Sequence, residues 1–483
     1  MAATPEAPTA EQVAAHYHES LVRKRSARRL MWGMIFGLVL LAMLAPVALY
    51  IAWLAHGRAL LREELVKIES AGEPITTAEM TAWHQVPEGK RDITQLWLDA
   101  IRPFETPAFS ASAKALPIVG TGGALPWVGQ PLPAADEEAI RAWLQLQQPL
   151  MAAVRFAAKQ DGEVRYPREF GGSLDAFLGD IQALRSTIRA FDLEFEILAR
   201  EADLEPALAN LETRFAIGET LRGHPTVIDL LVRIAIQSVS VYDIRALAAT
   251  DRLNDEQLAR LQQMLRNIDL QGDLPAAFLG ERAMCYQAFH QKLGLMIDPD
   301  QIVFAPVETT NDVTQVSRPE DCAYALASLF KMLEASREPF PQLFDAAARL
   351  QAEQGQQTSG QLGTINEMRF AGTASLLPSL TACANAIGRY ESTRRCLDAT
   401  LAARRYYLQH GQPPQRLADL VPDFLPEVPL DPYTGQPLLM LVDAQKVTIY
   451  SVGRDRVDDN GLTSLPLAEP DIAEEMLLPT PKK

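Results

Sequence analysis

The chain has 483 residues, of which 48% are hydrophobic and 22% are charged, and its formal net charge is −16 at pH 7. This length allows two or three domains of ordinary size. The acidic balance and the lack of basic stripes beyond the first 29 residues argue against a nucleic-acid-binding protein.

The first strong feature along the chain is the uncharged stretch Leu30–Trp53, LMWGMIFGLVLLAMLAPVALYIAW. Its 24 residues, at about 1.5 Å each, make a helix of roughly 36 Å, enough to cross a hydrocarbon core of about 30 Å. Trp32 and Trp53 lie near its two ends, where aromatic rings favour the membrane interface. A cleaved signal peptide has a shorter apolar run. The stretch therefore predicts a single transmembrane helix that contacts membrane lipid.

A basic cluster directly precedes this helix and consists of Arg23, Lys24, Arg25, Arg28 and Arg29. The positive-inside rule then places residues 1–29 in the cytoplasm and the bulk of the chain outside the inner (cytoplasmic) membrane, on the periplasmic side. Three glutamates against these five basic residues give the first 29 residues a charge of +2, so the remainder carries −18. We expect residues 1–29 to be a disordered tail whose basic cluster contacts anionic lipid headgroups.

Residues 54–134 predict juxtamembrane helices followed by an irregular connection. Arg58–Ser70 continues the helix beyond the membrane, and short helices are expected at Thr77–Trp83 and Asp92–Ile101. Residues 103–134 are rich in Pro, Gly, Ala and Ser and form either a linker or a cover over the domain. In the helix Arg58–Ser70, the apolar stripe consists of Leu61, Leu65 and Ile68.

Residues 135–373 predict an α-helical domain, because apolar residues recur there at spacings of three and four. Helices are expected to start near residues 184, 208, 228 and 255 and to pack as consecutive hairpins. The run Val227–Ile236 is apolar almost all round and predicts a central buried helix. The unequal spacing favours an irregular helical array over a regular solenoid. Loops are expected at about 297–318 and 353–373.

Residues 374–461 predict a small α+β module, so the fold class is mainly α with this module at the C-terminal end. Pro378 begins a long helix that ends at His410, before Gly411. Two strand-like runs, Pro437–Val442 and Lys446–Val452, predict a β-hairpin. Between helix and hairpin, Asp431–Gly435 (DPYTG) is typical of a turn in which the aspartate bonds its own backbone. Residues 462–483 are expected to form an acidic tail.

The four cysteines all follow the membrane segment, where disulfides are permitted: Cys285, Cys322, Cys383 and Cys396. The last two fall in one helical pattern about 20 Å apart along its axis and cannot pair with each other. Buried free thiols are therefore expected.

Motifs of known catalytic chemistry are not found, so no catalytic or cofactor-binding residue is assigned. Neither His-Glu-x-x-His nor Gly-x-Ser-x-Gly occurs. Arg233, within the central buried helix, and the adjacent Glu281 and Arg282 are expected to form structural ion pairs, because an unpaired buried charge is costly. An active site is the alternative interpretation.

The acidic turn after the predicted hairpin offers the hard oxygen ligands that calcium prefers, from Asp455, Asp458, Asp459 and Asn460. The spacing is not that of an EF-hand, since Val457 occupies the third position. The sequence leaves two interpretations open, a calcium site and a solvated turn that caps the hairpin.

Residues 403–461 combine the helix sequence RRYYLQHGQPPQRLADL with VPLDPYTGQPL, a hairpin and YSVGRDRVDDNG. This order resembles the C-terminal part of the major pseudopilins of type II secretion, and the resemblance implies that the acidic loop binds calcium. The chain as a whole resembles large membrane-anchored helical proteins of planctomycete-type bacteria, with AGEPIT after the anchor, LVRIAIQSVSVYDIRAL in the middle and YSVGRDRVDDNG at the end. That second resemblance implies no activity.

Three hypotheses about function follow. The first is a non-catalytic envelope or secretion-associated component whose helical surface binds a protein partner. The second is an envelope hydrolase acting on peptide or glycan, which requires two acids, or an acid and a base, about 5–10 Å apart in one cleft. The third is a divergent pseudopilin-like protein, which requires cleavage of the N-terminal leader.

Overall fold

The computed structural model describes residues 10–168, 170, 174–290, 316, 318–358, 369–463 and 469–478. Helices account for most of this part of the chain, and a small antiparallel sheet lies near its C-terminal end. The predicted fold class is confirmed.

Helix α1 (Ala10–Ser70) runs without interruption from the N-terminal segment into the globular part. Its stretch Leu30–Trp53 is exposed along the whole length. Within the described ranges, α1 is the one helix that is long and apolar enough to cross a membrane. Residues 10–29 are helical, which differs from the disordered tail predicted for residues 1–29. Extension of an existing helix needs no new nucleus, and this segment is rich in the strong helix formers Ala, Glu and Arg.

The helices that follow α1 form a packed helical array. They are α2 (Thr77–Trp83), α3 (Thr94–Ile101), α4 (Pro107–Ala113), α5 (Ala134–Ala158), α6 (Leu174–Leu198), α7 (Glu205–Glu219), α8 (Val227–Ala248), α9 (Asp255–Arg266), α10 (Leu274–His290), α11 (Pro319–Ser336), α12 (Gln342–Thr358), α13 (Ala371–Leu376) and α14 (Leu380–His410). Short 3-10 turns occupy Arg102–Glu105, Gln271–Asp273 and Leu417–Leu420.

Local sequence explains where several of these helices begin and end. Thr226 caps α8 by accepting from the Asp229 amide at 3.0 Å. Asn254 and Gln257 form a capping box at the start of α9. The long helix α14 begins after Ser379 and ends at Gly411, whose φ of 68° lies in the left-handed region that glycine tolerates.

One predicted loop is shorter than expected. Helix α12 continues to Thr358, so the loop expected at 353–373 does not begin at residue 353. Residues 359–368 lie outside the described residues, as does most of the predicted loop at 297–318.

Two hydrophobic cores fill the helical part, and a third lies in the C-terminal module. The first core draws on residues between Leu61 and Leu401, and the second on residues between Ile93 and Ile236. Segment 103–134 lies over the second core as a cover, because it buries Phe104, Phe109, Leu116 and Leu132 there. Residues 54–134 are therefore packed parts of the folded body.

The C-terminal module places one end of α14 against three antiparallel strands in the order β1 (Leu439–Val442), β2 (Lys446–Ser451), β3 (Ile472–Leu477). The predicted hairpin is the β1–β2 pair, with Leu439 opposite Tyr450. Strand β3 pairs along all of β2, with Ile449 opposite Glu474. The acidic tail predicted for residues 462–483 is therefore wrong for residues 472–477. Glu474, one of the acidic residues of this segment, is buried and pairs with Arg245.

The predicted turn at Asp431–Gly435 is confirmed. The Asp431 carboxylate accepts from the Tyr433 amide at 2.8 Å, and the Gly435 amide donates to the Asp431 carbonyl oxygen at 2.8 Å. The second carboxylate oxygen accepts from the Val452 amide at 2.9 Å, so this turn also fixes the end of β2.

The four cysteines are buried and carry free thiols, as expected. Burial raises the pKa of the Cys285 thiol to about 12 and that of Cys383 to about 11. Since the thiolate is the reactive form, these side chains behave as small core residues.

Candidate functional site

The acidic turn predicted as a calcium site lies between β2 and β3. The carboxylate of Asp458 accepts from the Tyr450 hydroxyl at 3.0 Å and from the Asn460 amide at 2.8 Å, and that of Asp455 accepts from the Val457 amide at 3.1 Å. The Asp459 amide donates to Asp471 at 3.1 Å. The acidic side chains of this turn therefore accept hydrogen bonds from groups of the turn and of the adjoining strand β2.

Asp471 is the buried residue on which this turn converges. One of its carboxylate oxygens accepts from the amides of Asp459 and Gly461, while the other has no hydrogen-bond partner among the residues that the structure describes. Burial raises its pKa, and the nearby Asp459 and Asp458 raise it further. Within the described residues, no three His, Cys, Asp or Glu side chains are grouped so as to hold a metal ion. Calcium binding at this turn stays a prediction.

Arg233 is buried and bonds two acidic side chains from other helices. Its guanidinium lies 2.6 Å from the Glu219 carboxylate, bonds the carboxylate of Asp273, and donates to the Asp269 carbonyl oxygen at 2.9 Å. These contacts tie α7, α8 and the turn before α10 together.

Glu281 and Arg282, although adjacent in sequence, have separate partners. Arg282 pairs with Glu73 at 2.7 Å and donates to the Pro74 carbonyl oxygen at 2.8 Å. Glu281 accepts from the Val227 amide at 3.0 Å, and burial raises the pKa of its carboxyl group. The three predicted residues therefore do not form one network, and each joins different elements of the array.

Two histidines that the sequence places 140 residues apart meet in the interior. The rings of His84 and His224 are 4.8 Å apart between centroids. His84 Nε2 lies 3.1 Å from the Tyr166 carbonyl oxygen, and His224 Nε2 accepts from the Tyr166 amide at 3.1 Å. Burial lowers the pKa of His84 to about 4 and that of His224 well below its usual value. Both rings are therefore neutral at pH 7 and fasten the segment around Tyr166.

The most promising binding site is a cleft of about 590 Å³ beside Trp127, which we call the Trp127 cleft. A strap of chain, residues 126–132, forms one wall. Glu137 and Arg141 come from α5, Glu201 follows α6, and Thr250 follows α8. These side chains come from separate parts of the chain, and no local motif marks them in the sequence. In the sequence, the available signal for this site was a tryptophan, Trp127, within a Pro/Gly-rich stretch.

Polar contacts give the strap and the cleft a fixed shape. Arg200 donates to the carbonyl oxygens of Pro126 at 2.7 Å and Gln130 at 2.9 Å. Val128 and Leu132 of the strap are buried in the first and second cores. Since the strap is held by both hydrogen bonds and burial, the cleft is formed without a ligand.

One guanidinium bridges the two acids of the Trp127 cleft. Arg141 lies 2.9 Å from Glu137 and 3.0 Å from Glu201. Both carboxylates therefore act as hydrogen-bond acceptors of one guanidinium.

The chain matches no family model, and comparison with the curated proteins and with the solved structures gave no match.

Proposed function

We propose that this protein is a single-pass membrane protein whose folded body lies outside the cytoplasmic membrane and binds a partner there without catalysing a reaction. The observation that carries the proposal is the continuity of α1. The helix that exposes the apolar stretch Leu30–Trp53 also buries Leu61 and Ile68 in the first core. A flexible linker is enough to retain a protein at a membrane. A helix built into the core also fixes the height and direction of the folded body.

A second attachment at the lipid boundary supports the same role. The Trp53 indole donates to the Glu320 carboxylate at 2.6 Å. Arg369 bonds that carboxylate as well, and this hydrogen bond holds the pKa of Glu320 below its usual value. Gly57 lies against the backbone of Glu320, where a Cβ atom would come within 2.9 Å of its amide nitrogen. The beginning of α11 is thus fixed to α1 within about one turn of the expected membrane surface.

Binding is favoured over hydrolysis by the pairing in the Trp127 cleft. A glycan hydrolase needs one protonated carboxyl group opposite a second carboxylate. Here Arg141 lies between Glu137 and Glu201 and bonds both, so its guanidinium occupies the place between the two acids that a substrate bond would need.

A secretion-associated role is drawn from the sequence resemblance to pseudopilins; in this chain the C-terminal module is a long helix against an antiparallel sheet. The N-terminal half of α14 is buried in the first core through Leu380, Cys383 and Ile387. This favours a module that works as a built-in part of the folded body over a separate fibre subunit.

Cysteine labelling tests the proposed orientation. The four native thiols are buried and give a low background. His18→Cys and Ser110→Cys place a thiol at exposed positions before and after the apolar stretch. With a membrane-impermeant maleimide on spheroplasts, we expect labelling of Ser110→Cys, and labelling of His18→Cys only after the membrane is disrupted.

The native protein, whose four thiols are buried, provides the control, since it should remain unlabelled under both conditions. Carbonate extraction of the same membranes should leave the protein in the pellet. The reverse labelling pattern would contradict the orientation, and release by carbonate would contradict the anchor.

A further inference from the structure

Trp127 is an aromatic platform held in one orientation. Its side chain is 49% exposed although it lines a cleft. The indole ring lies directly over Gly129, because a Cβ atom on that glycine would be 1.6 Å from a ring carbon. The strap backbone covers part of the ring in this way and leaves the rest open. A ring positioned before binding loses little conformational entropy when a ligand stacks on it.

Hydrogen-bonding atoms without partners face the same cleft. Glu137 and Glu201 each bond Arg141 through one oxygen, and within the described residues the second oxygen of each has no bonded partner. The terminal Nη2 group of Arg141 is likewise without a partner there. The cleft thus presents fixed acceptors beside a fixed donor. Neighbouring hydroxyl groups, each of which donates and accepts, are the ligand chemistry that matches this arrangement.

The charges around the cleft compensate one another. Arg141 lies between Glu137 and Glu201, and Arg200 pairs with Glu196 at 2.5 Å. Arg252 directs its guanidinium to the backbone, donating to the Ala199 carbonyl oxygen at 2.6 Å and to that of Glu201. The cleft and its immediate surroundings hold three guanidiniums and, with Glu196, three carboxylates, so the local charge balances and gives no general preference for an anionic or a cationic ligand.

We propose that the Trp127 cleft binds the sugar units of a neutral glycan chain. The apolar face of a sugar ring stacks on Trp127, and its hydroxyl groups bond the carboxylates and the guanidinium on the opposite side. The volume of about 590 Å³ is of the size usual for small-molecule sites. A sugar ring whose hydroxyl groups are all equatorial presents its C–H bonds on its two faces, and β-linked glucose-type chains fit best for that reason.

This inference rests on the proposed non-catalytic binding role and names the ligand of that role. It does not depend on which side of the membrane the cleft faces, so it is tested on the purified full chain. The detergent must lack a sugar headgroup, for which lauryldimethylamine oxide is suitable. The probe is the β-1,4-linked tetramer of N-acetylglucosamine, titrated by isothermal calorimetry. We expect saturable binding with a Kd below about 1 mM.

Variants then locate the binding. Trp127→Ala should weaken it about tenfold, since aromatic stacking and apolar burial contribute at that level. Glu201→Gln, which keeps the shape but removes the charged acceptor, should weaken it less. Trp83→Ala is the matched control, because this tryptophan is 45% exposed and lies outside the cleft. The affinity of Trp83→Ala for the tetramer should equal that of the native protein. Equal melting temperatures of all variants would show that each one folds.

Three results would overturn the inference: no binding of the tetramer at 10 mM, about ten times the expected limit, equal binding by native protein and Trp127→Ala, or binding of a proline-rich peptide in place of the tetramer.

Measurement of reducing ends after incubation separates this inference from the proposed function. Cleavage of the tetramer would contradict the non-catalytic role while leaving sugar binding in place. If the tetramer does not bind while the protein stays attached to the membrane, the glycan proposal is wrong and the proposed function is unaffected.

Discussion

The buried charged and polar side chains of this protein join segments that are distant in sequence. Arg282 pairs with Glu73, 209 residues away, and the ring of His84 meets that of His224 edge-on. The sequence predicts burial of Arg233 and Arg282, because each lies in an apolar helical pattern. It does not predict the partners, because a guanidinium is satisfied equally well by any carboxylate or carbonyl that the fold brings near it.

The buried His84 should make the protein less stable as the pH falls from about 6.5 to about 4. Its pKa in the folded state is lowered to about 4 by burial, and Arg165 and Arg168 add to this while Asp229 opposes it. The unfolded chain therefore binds a proton that the folded chain does not, and stability is lost through this window. At 1.36 kcal/mol per pKa unit, the free energy of unfolding falls by about 3 kcal/mol over the whole of this pH window.

We expect His84→Gln to reduce the dependence of the melting temperature on pH between 6.5 and 4, because glutamine can still donate to the Tyr166 carbonyl oxygen but does not titrate; His224, whose pKa burial also lowers, keeps its own contribution. His410→Gln is the control, since His410 is exposed, and its profile should follow that of the native protein. Parallel profiles for native protein and His84→Gln would show that His84 is already accessible to protons in the folded state.

Strand β3 illustrates how an element can be hidden in an acidic sequence. Along Glu474–Leu477, buried and exposed side chains alternate. Glu474 is buried yet pairs with Arg245 of α8, and burial raises the pKa of its carboxyl group to about 7. A charged residue on the inner face of a strand breaks the apolar alternation by which strands are recognised, so the sequence predicts a tail.

Substitutions on the two faces of β3 test whether this strand is part of the sheet. Met476 is 5% exposed in the third core, and its neighbour Leu477 is 58% exposed. Met476→Ala should lower the free energy of unfolding by about 2–5 kcal/mol, as for other buried methionines. Leu477→Ala should change it by less than about 0.5 kcal/mol, as surface substitutions do. Urea denaturation followed by circular dichroism measures both, and equal small effects would mean that β3 does not cover the core.

Elements with strong local signals could be predicted from the sequence. Helix α9 carries its own capping box, and α14 ends at a glycine. The turn at Asp431–Gly435 is specified by Pro432 and Gly435. The Trp127 cleft could not be predicted in this way, because its strap, its acids and its donor are brought together by packing between α5, α6 and the end of α8.

The apolar stretch Leu30–Trp53 and the folded body form one continuous structure through α1. Two features produce this: the stripe of Leu61, Leu65 and Ile68 enters the first core, and the beginning of α11 contacts α1 at Trp53 and Gly57. The sequence predicts the stripe but not the partner helix, which lies more than 260 residues away from Trp53. The proposed role depends on this continuity, because a binding cleft at a fixed height reaches only partners at that height.

Gly57→Leu should loosen the contact between α1 and α11. A Cβ atom at residue 57 would lie 2.9 Å from the Glu320 amide nitrogen and 3.1 Å from its Cβ, so a larger side chain must push α11 away and break the bond from Trp53. Overpacking of this kind costs about 1–3 kcal/mol. Hydrogen exchange measured by mass spectrometry should become faster in the first two turns of α11.

Gly37→Leu is the matched control on the same helix, since nothing lies within 4 Å of that position. Unchanged exchange in Gly57→Leu would mean that the folded body is joined to the apolar stretch of α1 by the core stripe alone.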